Sequence, residues 1–222
     1  MEHLLKSVNI IVDEHTFVKD PSSSALGQML VREGVDLMLE LGLEGFTFRK
    51  LAEKVDSTEG AVYRYFENKH KFFLYLYNWY WNYMDYRLRF SINNLNNPDD
   101  KLSRVVAILT DEDFDEQHQN LNLANLHALV IQEAPKAFLT KHVGKEYSQG
   151  VFKSFQNFVD IFANIISELN SDFKHPTALS ISIIDSIYQQ HYYRQHVPAL
   201  TDLSANEAKD FFIRLIKKSI DK

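Results

Sequence analysis

The chain has 222 residues, 45% of them hydrophobic and 24% charged, which is enough to bury the core of one large domain or two small ones. It contains no cysteine, which excludes disulfides and thiolate metal sites and fits a cytoplasmic protein. The net charge of −6 argues against a non-specific binder of polyanions.

The distribution of apolar residues sets the expected class of fold. No run of about 18 apolar residues occurs, so the sequence predicts no transmembrane helix and no membrane partner. The N-terminal residues also lack the features of a secretory signal. Glycine and proline are scarce, and no alternating apolar run follows residue 20. The sequence therefore predicts an all-α protein.

The predicted helices follow one another with short breaks. Residues 1–21 form an N-terminal extension, which Pro21 and three serines separate from an amphipathic helix that Gly42 ends. Two short helices come next, and then a long helix over residues 68–92. After the linker NNLNNPDD, helices are predicted near 99–112, 120–134, 136–169, 176–196 and 204–221, with breaks at Pro98, Pro135, Pro176 and Pro198.

The two short helices lie in the stretch FTFRKLAEKVDSTEGAVYRYFENKHK, residues 46–71. Thr47 is a good N-cap for the first, with a hydrophobic staple formed by the residues at 46 and 51. Asp56 and Ser57 predict a tight turn, because aspartate tolerates such backbone geometry. Val62 and Phe66 then face inward at i and i+4. Two short helices joined by such a turn, behind a longer helix, predict a helix-turn-helix whose second helix enters the DNA major groove.

The residue types outside this inward face suit DNA binding. Small residues let the backbone approach base edges, hydroxyls and lysines donate to phosphates, Arg49 is long enough to reach guanine, and Glu59 accepts from a cytosine amino group. A turn that serves only bundle packing gives no reason for two tyrosines and an arginine on the outer side. We expect DNA contacts from Thr47, Arg49, Lys50, Ser57, Thr58, Glu59, Gly60, Ala61, Tyr63, Arg64, Tyr65 and Lys69.

This stretch resembles the DNA-binding signature of the TetR family of bacterial transcriptional regulators. The residues that fall on the family pattern are Thr47, Leu51, Ala52, Thr58, Gly60, Tyr63, Tyr65, Phe66, Asn68 and Lys69. The chain departs from it in the turn, where Asp56 and Ser57 stand in place of the usual Gly and Val. The resemblance implies an N-terminal three-helix DNA-binding domain, residues 22–72, followed by a larger helical domain for ligand binding and dimerisation, residues 73–222.

The resemblance further implies a symmetric homodimer, in which the last two long helices of each subunit form a four-helix bundle. The alternative is that these helix faces pack inside one subunit. The interface is favoured because few later elements remain to cover the final helices. The candidate interface residues are Leu179, Ile183, Ile187, Phe212, Leu215 and Ile216.

The long helix over 68–92 is apolar or aromatic on nearly every side, which is more than one buried face requires. An apolar or aromatic small-molecule effector is therefore expected between it and the helices near 120–169. The alternative is that each ring belongs to the core. The candidate ligand-binding residues are Tyr80, Tyr83, Tyr86, Leu126 and Phe155.

Other chemistries find little support in the sequence. His191 and His196 are five residues apart and do not share a helix face, and the Asp115–His118 pair has no second such motif to complete a di-iron site. No P-loop, nucleophile elbow or glycine-rich dinucleotide loop occurs. We expect no catalytic residue, no cofactor and no metal.

The function predicted from the sequence is a DNA-binding transcriptional regulator. It is expected to be a ligand-responsive repressor that binds a palindromic operator in double-stranded DNA as a homodimer, and not an enzyme. The alternative from another class is a helical small-molecule-binding or enzymatic protein that has lost DNA binding.

Overall fold

The structure is a computed structural model that describes residues 10–111, 117–118 and 121–221. These residues form eleven α-helices and three short 3₁₀ helices, the latter at Glu14–Thr16, Pro21–Ser23 and Pro198–Leu200. The α-helices are α1 Ala25–Gly45, α2 Phe48–Lys54, α3 Glu59–Tyr63, α4 Lys69–Ile92, α5 Pro98–Thr110, α6 Leu123–Glu133, α7 Pro135–Phe138, α8 Val143–Ser148, α9 Lys153–Leu169, α10 Pro176–His196 and α11 Ala205–Ile220.

The prediction of an all-α protein is confirmed. The one strand pairing within the described residues is antiparallel and two residues long, between β1 Gln117–His118 and β2 Leu121–Asn122. Its register places Gln117 opposite Asn122 and His118 opposite Leu121. Three features of the sequence analysis lie outside the residues whose side chains the structure describes. They are the Asp115–His118 pair, the first nine residues of the extension and the predicted helix start at 120.

Two compact units make up the chain. One contains the described residues of 1–83 and 113–153, and the other those of 84–112 and 154–222. In the first unit α1 packs against α6, and α2 against α3. In the second, α5, α10 and α11 pack against one another. The predicted functional boundaries at residues 21 and 72 stay a prediction.

Two glycines allow the α1 region to adopt its conformation. At Gly34 an added Cβ would lie 2.3 Å from the ring of Phe72, so only glycine permits this approach of α4 to α1. At Gly42 the backbone enters the left-handed region, with φ of 68° and ψ of 164°, which glycine adopts without strain. The regular part of α1 therefore ends at Gly42, as predicted.

The single helix predicted over 136–169 is wrong. The structure divides this segment into α7, α8 and α9. Pro135 begins α7, and Gly150, with φ of 85°, lies in the turn between α8 and α9. The apolar periodicity continues through the turn, which is why the sequence alone does not show the break.

The predicted dimer residues require a correction as well. Ile183, Ile187, Phe212 and Ile216 are buried inside the second unit of a single chain. The reason is that α11 packs against α5 as well as α10, so the apolar faces of both final helices find partners within the subunit. Leu215 is 39% exposed, and Leu179 is half-buried.

Candidate nucleic-acid interface

Helices α2 and α3 begin with side-chain caps and are joined by a tight turn. The hydroxyl of Thr47 accepts from the N–H of Lys50 at 3.3 Å, and that of Thr58 accepts from the N–H of Ala61 at 3.2 Å. Between them Asp56 adopts φ of 50°, a left-handed conformation that aspartate tolerates better than most residues. The predicted cap at Thr47 and the predicted turn position are confirmed, and the structure adds Thr58 as the cap of α3.

An aromatic cluster holds this pair of helices in place. Leu51, Val62 and Phe66 are fully buried, as predicted for the inward face. The ring of Phe66 meets that of Phe72 edge-on at 4.6 Å, and Phe46 stacks on Phe72 at 5.4 Å. Because Phe72 belongs to α4, these contacts fix the residues on either side of the α2–α3 pair against the start of the long helix.

Most of the residues predicted to contact DNA lie on the outer surface of this unit. Tyr63 is 50% exposed, and its ring rests edge-on against Phe48 at 5.1 Å. Nothing lies within 4 Å of the position that a Cβ on Gly60 would take, so the backbone there is open to a close approach. Ser57 and Ala61 are half-buried, and the exposed residues are Thr47, Arg49, Lys50, Thr58, Glu59, Gly60, Tyr63 and Arg64.

Some basic side chains on this surface already have partners. Arg49 pairs with Glu53 one turn along α2, at 3.0 Å, and both side chains are exposed. The ammonium of Lys50 donates to the carbonyl of Gly45 at 2.9 Å. Lys69 donates to the carbonyls of Leu43 and Glu44 at 2.9 and 3.1 Å, which satisfies acceptors at the end of α1.

The outward position predicted for Tyr65 is wrong. Tyr65 is only 5% exposed, because the N-terminal extension covers it. Its hydroxyl lies 2.8 Å from that of Ser24, and the Lys19 ammonium lies 5.1 Å from its ring centre. The hydrogen bond with Ser24 lowers the pKa of the Tyr65 phenol, and the charge of Lys19 acts in the same direction.

Sequence reasoning missed this role of the extension. The N–H of Val18 donates to the carbonyl of Tyr65 at 2.7 Å, and Phe17 meets Tyr75 edge-on at 6.0 Å. Thr16 is fully buried. The only signal in the sequence is the pair of caps at Asp13 and Asp20, which indicate turns but not a partner.

The residues predicted to bind an effector belong to well-packed regions. Tyr80, Tyr83 and Leu126 are buried in the first unit, where the Tyr80 hydroxyl lies 2.8 Å from Nδ1 of His127. Tyr86 and Phe155 are half-buried in the second unit. A cavity of about 560 Å³ lies elsewhere in the first unit, and none of these five residues lines it. Effector binding at Tyr80 and its neighbours stays a prediction.

Metal sites and membrane-spanning helices are two further features that bear on function. Across the residues that the structure describes, no three His, Asp or Glu side chains come together as metal ligands. None of the described helices combines the length and apolar character needed to cross a membrane.

Comparisons with known proteins agree with this geometry. Residues 30–76, which include α2, α3 and the start of α4, match the model for bacterial regulatory proteins of the tetR family. A search of curated protein sequences found no match.

Several solved structures share the fold at low sequence identity. AibR, in complex with isovaleryl coenzyme A and operator DNA, is 12% identical with a TM-score of 0.60, over 85% of this chain and 97% of AibR. The ketosteroid regulator KstR2 of Mycobacterium tuberculosis is 16% identical with a TM-score of 0.57, over 90% and 96%. A protein described as the superantigen pfit is 14% identical with a TM-score of 0.55, over 89% and 91%.

Fold and site together define a helix-turn-helix protein whose second helix is exposed and available to DNA. The family match and the similar structures narrow this class: residues 30–76 carry the DNA-binding domain of tetR-family regulatory proteins, and the chain shares the fold of such regulators. The resemblance seen in the sequence is thereby confirmed.

Proposed function

We propose that this regulator is a repressor that binds a palindromic operator as a homodimer and releases it when a small ligand binds. The observation that carries the DNA-binding part is the exposed surface of α2 and α3. It presents Arg49, Tyr63 and Arg64 beside an unobstructed Gly60. Donors of this kind position a protein on phosphates, and a long basic side chain reads guanine.

The proposed dimer uses the outer faces of α10 and α11, since their inner faces are buried within the chain. Ile181, Phe211 and Leu215 are large apolar side chains on these helices, each between 37% and 40% exposed. A second copy of the chain is the occupant that fits, because a two-fold axis presents two recognition helices to one palindrome. This assignment replaces the buried residues predicted from the sequence and keeps Leu215.

Ligand control is supported by analogy of fold. AibR, which shares the fold, was solved with both an acyl coenzyme A and operator DNA. A regulatory rather than enzymatic role is supported by the family match over the helix-turn-helix. A DNA-binding role in a bacterium implies a location in the cytoplasm.

Binding to the DNA upstream of the protein's own gene tests the proposal, because such regulators often act on neighbouring genes. In a footprinting experiment with full-length protein at moderate salt, we expect two protected half-sites related by a two-fold axis. The upstream fragment is compared with a shuffled duplex of equal composition. Equal affinity for both duplexes, with no protected region, contradicts the proposal.

A further inference from the structure

The cavity of about 560 Å³ in the first unit lies against the junction between α1 and the helix-turn-helix. It is lined by residues from the end of α1, the start of α4 and the α7–α8 segment. Its volume falls in the range of about 300–1,000 Å³ that is usual for small-molecule sites. None of its lining residues is among those predicted to contact DNA or effector.

Basic side chains outnumber acidic ones among the residues that line this cavity. The basic lining residues are His70, Lys71, Lys136, His142 and Lys145. Between Pro135 and Lys145 the chain contains no acidic residue. The side chains of His142 and Lys145 are exposed and form no ion pair with any residue that the structure describes. These two groups are therefore available to a ligand.

The carboxylates of the cavity are of two kinds. Glu146 is buried, and its carboxylate lies 3.2 Å from Nε2 of His70 and 3.6 Å from the ammonium of Lys71. Glu44 and Glu67 also line the cavity and are exposed. Their charge disfavours a ligand with several negative groups. Apolar surface is supplied by Leu43 and by Leu139, which is 82% exposed.

We propose that this cavity binds a small molecule with one anionic group and an apolar portion. His142 and Lys145 hold the anionic group, and Leu139 covers the apolar portion. The ammonium of Lys145, the imidazole of His142 and the exposed leucine at the same cavity carry this assignment. The role of this cavity as an effector site rests on the proposed function. Ligand binding by the cavity does not.

A hydrogen bond and two ion pairs next to Gly42 connect this cavity to the segment that leads into the DNA-binding helices. The carboxylate of Glu133 accepts from the N–H of Leu43 at 3.0 Å, directly after the Gly42 kink. Lys136 lies 2.7 Å from the other oxygen of Glu133 and 3.8 Å from Glu44. Lys136 lines the same cavity, so an anionic group held by His142 and Lys145 also attracts its ammonium and competes with Glu133 and Glu44. The ligand thereby alters the segment that leads into α2.

Ligand binding is tested by NMR on the full-length protein, without DNA. The probes are butanoate, hexanoate and octanoate, each compared with the primary amine of equal chain length. We expect at least one carboxylate to shift the amide signals of Gly144 and Gly42 in a saturable way, and no amine to do so. Gly27, which lies outside the cavity, serves as the internal reference.

Two matched variants locate the site. Lys145→Ala removes a lining charge and is expected to weaken carboxylate binding about tenfold, as the loss of a charged hydrogen bond does. Lys141→Ala removes an exposed lysine from the same segment that does not line the cavity, and its binding is expected to equal that of the wild type. The inference is overturned if no carboxylate shifts these signals, if amines bind equally well, or if both variants bind alike.

The effect of the ligand on DNA affinity is measured separately, with the DNA fragment that the protein protects in the footprinting experiment. A carboxylate that binds is expected to lower DNA affinity about tenfold, within the usual range of allosteric coupling. Unchanged DNA affinity at saturating carboxylate overturns the effector role. A protein that binds the carboxylate but no specific DNA would contradict the proposed function and leave the cavity assignment standing.

Discussion

Basic residues around the α2–α3 surface perform two distinct tasks. The ammonium groups of Lys50 and Lys69 donate to backbone carbonyls near the end of α1, so they stabilise the local fold. Arg49 and Arg64 lie on the outside, and Arg49 pairs with Glu53 in an exposed ion pair, a kind of contact that contributes little to stability. Moving the two arginine side chains onto DNA therefore requires little free energy.

Replacing Arg49 by alanine is expected to weaken operator binding by about 1–3 kcal/mol and to relax selectivity, if the guanidinium reads a base. Fluorescence anisotropy with the protected duplex and a one-base variant measures both effects. Arg104→Ala, an exposed arginine on α5, is the control and should bind as the wild type does. Equal affinities for Arg49→Ala and Arg104→Ala would remove Arg49 from the interface.

Gly34→Ala is expected to lower the free energy of unfolding by about 1–3 kcal/mol, because its Cβ would overlap the Phe72 ring. Chemical denaturation measures the change. Gly60→Ala places its Cβ in open space and is expected to leave stability unchanged or to raise it by about 0.5–1 kcal/mol. A Gly34→Ala protein as stable as the wild type would show that α1 and α4 are not held at this distance.

At the scale of elements, the N-terminal extension supports the end of the recognition unit. The Val18 N–H and the Ser24 hydroxyl both bond to Tyr65, just beyond α3. Tyr65 thus connects the extension with the helix-turn-helix, whereas Tyr63, two residues earlier, faces solvent.

A double-mutant cycle with Ser24→Ala and Tyr65→Phe measures this contact. Because Ser24 also caps α1, the single variant loses more than the contact, and the cycle separates the two effects. The expected interaction energy is about 0.5–1.5 kcal/mol from unfolding curves. Strict additivity of the two substitutions would show that the hydroxyl–hydroxyl bond does not stabilise the fold.

The sequence predicted the local elements well wherever short-range chemistry determines them. The cap at Thr47, the turn at Asp56 and the break in α1 at Gly42 depend on neighbouring residues and were correct. The burial of Tyr65 depends on a segment about forty residues away, and that of Ile183 on which helix covers it. Such tertiary contacts leave no periodic signal in the chain.

For the whole molecule, the final helices have two chemically different faces. Their inner faces contain Ile183, Ile187 and Phe212 and form the core of the second unit. Their outer faces carry exposed large apolar residues, including Phe211 and Leu215. Burying such exposed apolar surface stabilises association, whereas disturbing the inner face destabilises the subunit itself.

Substituting the two faces separately distinguishes assembly from folding. Phe211→Glu with Leu215→Glu is expected to give a folded monomer of about 26 kDa in light scattering, where the wild type gives a dimer of twice the 25.9 kDa chain mass. Ile183→Glu with Ile187→Glu is expected to lose the cooperative unfolding transition, because two charges would be buried without partners. A wild-type particle of monomer mass at micromolar concentration would rule out the dimer.

The central claim is that the exposed α2–α3 surface of a dimer reads an operator. Selection of binding sites from random DNA tests this claim most directly. The account predicts enrichment of a palindrome whose half-sites are centred about 10 base pairs, or a multiple of this, apart. Selection with Arg49→Ala should relax the base preference within each half-site while the spacing stays the same. Recovery of no enriched motif by the wild-type protein at moderate salt would contradict the account.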